Sequence, residues 1–81
     1  MPFTIRLDLE SFTQAAALAG FTSEHALAKR MDVHRSTVSR VLKGELQPGP
    51  AFVAGALIAL SPHQFADLFT IVHLHRRPER T

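Results

Sequence analysis

The side chains best suited to bind another molecule lie close together, between residues 35 and 43. They are two arginines, two serines and a lysine: Arg35, Ser36, Ser39, Arg40 and Lys43. An arginine can donate two hydrogen bonds to O6 and N7 of a guanine, and a serine hydroxyl can serve a base or a phosphate. A lysine supplies a point charge that suits phosphate. This set predicts a surface that binds nucleic acid.

The apolar residues of the same stretch predict a helix that turns these side chains outward. Val38, Val41 and Leu42 recur at i, i+3 and i+4, so they form one buried face. A glycine often follows the last residue of a helix, and Gly44 stands at that place. We therefore predict a helix from about 35 to 43, with its polar face toward solvent.

A second helical pattern comes directly before it. Ser23 is a good N-cap, and Leu27 and Met31 line one face at i, i+4. The small side chain of Ala28 suits a position where two helices approach closely. Asp32 tolerates the left-handed conformation that a tight turn needs. Residues 23–44 are thus predicted to form two helices joined by a short turn.

The remaining elements are predicted from periodicity and turn residues. Helical patterns cover about 9–20, 51–60 and 62–68, the last with Ser61 as its cap and Pro62 at its first position. The helix at 51–60 is apolar nearly all round, which predicts that both of its faces touch protein.

Both ends of the chain predict strands. Phe3–Leu7 alternates apolar and polar residues, and Phe69–His75 is rich in β-branched and aromatic residues. We expect the two strands to pair, with Ile5, Leu7 and Ile71 lying on helices. The predicted fold is mainly α, a compact five-helix bundle with a central helix-turn-helix plus a small two-stranded sheet, in a single domain over residues 1–81.

Charge is concentrated in the same region as the candidate side chains. Residues 29–43 carry five basic side chains and one acidic side chain, a net charge of +4, whereas the whole chain of 81 residues carries +2. Clustered basic charge is typical of a phosphate-binding surface. On charge alone, a solvated helix face is an equally good interpretation.

Other classes of protein are less well supported. The chain has no cysteine, and its longest apolar run, Ala51–Leu60, is half of the ~20 residues that a membrane-spanning helix needs. The N-terminus lacks the apolar core of a signal peptide. We expect a soluble cytoplasmic protein with no membrane contact.

Metal and enzyme chemistry lack a complete pattern. His73 and His75 stand at i, i+2, and His63 lies upstream, so zinc or nickel binding is conceivable. No cysteine or carboxylate pattern completes such a site. There is also no glycine-rich phosphate loop and no recognisable nucleophile. We expect no catalytic residue, metal, cofactor or small-molecule ligand.

The segment Ser23–Gly44 resembles the helix-turn-helix of the Cro and phage-repressor family, also called the XRE family. The matching residues are Leu-Ala at 27–28, Met-Asp-Val-His at 31–34, Arg-Ser-Thr-Val-Ser-Arg at 35–40, and the closing glycine at 44. The resemblance covers about residues 9–69. Two positions depart from the family pattern: Glu24 stands where glutamine is frequent, and His34 is a weak N-cap.

The resemblance implies roles for particular residues. The base-contacting positions correspond to Arg35, Ser36, Ser39 and Arg40. Phosphate contacts are expected from Lys43, Thr37 and His34. The implied partner is double-stranded DNA, bound by a possible homodimer, and the implied function is that of a small sequence-specific transcriptional repressor.

A different class of function stays open. An antitoxin-like or adaptor protein could use the same scaffold mainly to bind a protein partner, because a fold does not determine function. Salt-dependent binding to DNA distinguishes the two classes.

Overall fold

Residues 2–73, the part of the chain that a computed structural model describes, contain five helices and two short strands. In chain order the elements are β1 (Phe3–Leu7), α1 (Leu9–Leu18), α2 (Glu24–Met31), α3 (Arg35–Leu42), α4 (Pro50–Ala59), α5 (Phe65–Leu68) and β2 (Phe69–His73). The fold is therefore mainly α, with five helices, a central helix-turn-helix arrangement and a small sheet, as the sequence predicts.

The two strands pair as predicted. They are antiparallel, with Phe3 opposite His73 and Leu7 opposite Phe69. The backbone amide of Asp8 donates to the carbonyl of Leu68 at 2.9 Å, which ties the end of β1 to the end of α5. The predicted strand residues 74 and 75 lie outside the described part of the chain.

One expectation about the sheet is wrong. Ile71 does not lie on a helix, because its side chain is 58% exposed, and Phe3 on the same face is 54% exposed. Ile5 and Leu7 do pack half-buried against the core, and Phe69 is buried in it. The ribbon thus extends past the helices that were expected to cover it.

Aromatic side chains form the centre of the core. Phe12, Phe52 and Phe69 are buried, with ring centroids 5.7 Å apart for Phe12 and Phe52 and 6.4 Å apart for Phe52 and Phe69. Phe65 is half-buried and stacks on Phe69 at 5.1 Å. Among residues 2–73, no polar or charged side chain is buried. Three of these phenylalanines are core residues, and the fourth packs against them.

Side-chain caps fix where the first two helices begin. The carboxylate of Asp8 accepts from the amide of Ser11 at 3.2 Å at the start of α1. The hydroxyl of Ser23 accepts from the amide of Ala26 at 3.1 Å at the start of α2, as predicted. Each cap satisfies an amide that has no partner within its helix.

The fifth helix is shorter than predicted. It begins at Phe65 and not at Pro62, because residues 61 and 62 lie in a turn. The capping interaction is made by Gln64, whose backbone amide donates to the side-chain carboxylate of Asp67 at 2.8 Å. His63 has a local role in the same turn, since its Nδ1 donates to the carbonyl of Leu60 at 2.9 Å.

Helix α4 packs on one side only, contrary to the expectation that both faces touch protein. Phe52, Gly55 and Ala56 are buried, whereas Ala54 is exposed and Ile58 is 60% exposed. Across residues 2–73, no helix is long and apolar enough to cross a membrane.

Candidate nucleic-acid interface

The turn between α2 and α3 has a defined geometry. Asp32 adopts the left-handed conformation, with φ 61° and ψ 43°, as its residue type predicts. The amide of Val33 donates to the carbonyl of Ala28 at 3.1 Å, and the Val33 side chain packs half-buried against the core. These contacts fix the direction in which α3 leaves α2.

The inner face of α3 anchors it in the core. Val38 and Val41 are buried, and Leu42 is half-buried against the same cluster. Ala28 and Met31 of α2 are buried in that cluster too. A helix held along its whole inner face can present its outer face as a fixed array of side chains.

The outer face of α3 carries one continuous polar stripe. Ser36, Arg40 and Lys43 recur at i, i+4 and i+7, and all three are exposed; we call them the α3 stripe. At 1.5 Å per residue the stripe is roughly 10 Å long, and a B-DNA major groove about 12 Å wide admits an α-helix. The stripe has the length and the chemistry to reach several consecutive base pairs.

The other predicted contact residues flank the stripe. Arg35 is exposed, and Ser39 lies half-buried one turn further along the same edge. Thr37 is half-buried on the opposite edge. His34 is exposed at the N-cap and makes no side-chain capping hydrogen bond, as its weak capping propensity predicts. The seven predicted residues thus span α3 from its N-cap to its C-cap, with five of them exposed and two half-buried.

The basic side chains of α3 have few competing partners. Within residues 2–73, no side-chain hydrogen bond involves Arg35, Arg40 or Lys43. Exposed cations without hydrogen-bond partners can bind an anion without first breaking an internal contact. Their charge is then available to a phosphate or to a guanine edge.

The end of α3 is also fixed. Lys43 is the C-cap, and Gly44 follows with φ 81°, a conformation that favours glycine. The amide of Glu45 donates to the carbonyl of Arg40 at 2.9 Å and closes the turn. The positive charge of Lys43 is favourable beside the negative end of the helix dipole.

The structure adds one residue that the sequence did not point to. Arg6 of β1 is exposed and lines an open cleft of about 390 Å³ together with Lys43 and Gln47. Arg6 lies 37 positions before Lys43 in the chain. The hydrogen bond from Thr4 to Gln47 joins β1 to the loop after α3, and periodicity does not predict this contact.

Metal ligands do not cluster in the described residues. No group of three or more His, Asp or Glu side chains positioned to hold a metal ion occurs within residues 2–73. His73 packs edge-on against the ring of Phe3, with centroids 4.7 Å apart. The second member of the predicted histidine pair, His75, lies outside the described residues.

Comparison with family models, with curated proteins and with solved structures finds no match to this chain. The function proposed for it therefore rests on its own residues and their geometry.

Proposed function

We propose that this protein is a sequence-specific transcriptional regulator that binds double-stranded DNA, a small cytoplasmic repressor of the Cro and phage-repressor kind. The observation that carries the proposal is the α3 stripe, Ser36, Arg40 and Lys43, exposed along a helix whose opposite face is buried. The same helix contains the segment that resembles the family's recognition helix.

In this proposal α3 lies in the major groove. Arg35 and Arg40 donate to guanine O6 and N7, and Ser36 and Ser39 supply shorter, less selective hydroxyl contacts. Lys43, at the end of the helix, binds the phosphate backbone. Base contacts then give sequence preference, while phosphate contacts fix the position of the helix.

The start of α3 would approach the backbone of the other strand. His34 and Thr37 are assigned to phosphate there, next to helix amides that lack a side-chain cap. The N-terminal end of a helix carries partial positive charge and attracts anions. The exposed carboxylate of Glu24, at the start of α2, would make no favourable phosphate contact.

A homodimer is part of the proposal. Two copies related by a twofold axis would place two α3 helices on half-sites about 34 Å apart, which is one turn of B-DNA. Exposed apolar side chains that could contribute to such an interface are Ile58 on α4 and Ile71 on β2.

The proposal is tested by binding to DNA at several salt concentrations. Fluorescence anisotropy with labelled random duplex should show binding that weakens steeply as salt rises, because phosphate contacts release counterions. Selection of bound fragments from a random duplex library should then return one preferred sequence. Arg40→Gln should weaken binding to that sequence, whereas Arg30→Gln, on the exposed surface of α2, serves as the control with the same change of charge.

The alternative is a protein-interaction module of the antitoxin or adaptor type. The exposed apolar side chains Phe3, Ile58 and Ile71 favour it. If the protein shows no binding to duplex DNA even at low salt, the DNA-binding proposal is wrong and this alternative gains support.

A further inference from the structure

A cleft separates β1 from the C-terminal end of α3. Its polar lining includes two cations, Arg6 and Lys43, and the amide of Gln47. Its apolar lining comes from β1, the first residue of α1, α3 and the loop after α3: Ile5, Leu7, Leu9, Val41, Leu42, Leu46 and Pro48. None of the described residues that line this cleft is acidic.

The strand that carries Arg6 is held firmly beside the helix. The hydroxyl of Thr4 donates to the side-chain oxygen of Gln47 at 2.9 Å, which links β1 to the loop after α3. Ile5 and Leu7 pack half-buried against the core on either side of Arg6. Arg6 itself is exposed and stands opposite Thr70 in the sheet. The place of the Arg6 backbone relative to the loop after α3 is therefore set by the fold.

Arg6 and Lys43 place two positive charges at one cleft. Among residues 2–73, Arg6 takes part in no side-chain hydrogen bond, and the cleft lining offers it no carboxylate. An anion in the cleft would be attracted by both charges. The cleft opens beside Lys43, the last residue of the α3 stripe, so an anion there would be continuous with whatever the stripe contacts.

We propose that Arg6 and Lys43 together bind the DNA backbone at the end of the major groove that α3 occupies. This inference rests on the proposed function and extends it: the terminal sheet supplies a phosphate contact from outside the helix-turn-helix. Arg6 adds affinity without sequence preference, since phosphate contacts carry no direct base information.

The test compares the salt dependence of DNA binding among single-residue variants. Arg6→Gln should make the negative slope of log K against log salt shallower by about one, because each phosphate contact contributes ~0.9 to the steepness of that slope. It should weaken binding roughly three- to tenfold at 0.1 M salt, equally on the selected and the random duplex. Arg6→Lys keeps the charge and should keep the slope. Arg30→Gln, which removes the same charge on a different surface, should leave the slope unchanged.

The folded state of each variant is checked by circular dichroism at the assay temperature. If Arg6→Gln is unfolded, Arg6→Thr takes its place, since threonine favours a strand and the position is exposed. Suppose that the unaltered protein shows a steep salt dependence and that the neutral Arg6 variant has the same slope as Arg30→Gln. That result would overturn the proposed role of Arg6 but not the proposed function. Absence of salt-dependent DNA binding by the unaltered protein would overturn the proposed function as well.

Discussion

At the scale of single residues, Arg35 is the first residue of α3 and its side chain is exposed. If it reads a guanine, Arg35→Ala should cost about 1–3 kcal/mol of binding free energy on the selected duplex and relax the preference at one base pair. Competition between duplexes that differ at single positions measures both effects. An equal loss on the selected and the random duplex would contradict the base-reading role.

Lys43 should behave differently, because a phosphate contact does not depend on sequence. Lys43→Ala is expected to weaken binding to every duplex alike. It should also make the negative slope of log K against log salt shallower by about one. Anisotropy titrations at four or five salt concentrations give the slope. A loss confined to the selected duplex would assign Lys43 to base reading and not to the backbone.

Residue spacing predicted these exposures because helix periodicity is a local property. Val38 and Val41 are buried and Ser36, Arg40 and Lys43 are exposed, as an amphipathic helix requires. Arg6 was missed for the opposite reason. Its place beside Lys43 depends on how the sheet packs on the helices, and no pattern within ten residues of it carries that information.

At the scale of elements, the crossing of α2 over its neighbours depends on small side chains. Ala28 is buried, so Ala28→Leu should overpack the interior and lower the free energy of unfolding by about 1–3 kcal/mol. Ala17→Leu, at an exposed position of α1, is the matched control and should have little effect. Chemical denaturation of both variants measures the difference. Equal stability of the two variants would contradict the close packing of Ala28 against its neighbours.

Gly55 marks a second close approach, between α4 and α2. A Cβ atom at Gly55 would overlap the carbonyl oxygen of Met31 and lie 3.0 Å from its Cβ. In most helix interiors Gly→Ala is stabilising, but here the atom that must move belongs to the backbone. We expect Gly55→Ala to destabilise the protein by about 1–3 kcal/mol in a denaturant titration.

The control for Gly55 lies one residue earlier. Ala54 is exposed, so Ala54→Gly should cost only the ordinary helix propensity difference of about 1 kcal/mol. If Gly55→Ala instead raises the free energy of unfolding by about 1 kcal/mol, the close approach of α2 and α4 at Gly55 is contradicted.

Element boundaries were predictable where the residues themselves carry the signal. Ser23 caps α2 through its hydroxyl, and Gly44 closes α3 through its left-handed conformation. The start of α5 was not predictable in this way, because Ser61 and Pro62 make a good helix start by residue type. The backbone turns there instead, and Gln64 with Asp67 provides the cap. Two competing start signals lie within four residues, and tertiary packing selects between them.

At the scale of the whole molecule, the sheet joins the two ends of the described chain. Within residues 2–73, β1 pairs only with β2, and Phe69 at the base of β2 is a core residue. Deleting residues 70–81 should therefore unpair β1, destabilise the domain and weaken DNA binding. A shorter deletion, of residues 76–81, leaves the described part of β2 intact and should keep the stability. Thermal melts and anisotropy on both truncations make the comparison.

The two terminal strands were predictable from the sequence, but the exposure of their far end was not. The alternation of Phe3–Leu7 and the β-branched content after Phe69 predicted two paired strands, and both are present. The sequence did not predict that the far end of the ribbon would be uncovered, because the length of the helices beneath it decides that. If both truncations kept full stability, the sheet would not contribute to the fold.

The central claim is that α3 lies in the major groove of double-stranded DNA. The most direct test is an NMR titration of the isotope-labelled protein with a selected duplex, following the backbone amides. We predict that the largest shift changes fall on residues 34–43, with a second group around Arg6 and Gln47, and that the amides of α4 near Ile58 change little. Shift changes confined to α4 or to the tip of the ribbon near Phe3 and Ile71, or none at saturating duplex, would contradict the claim.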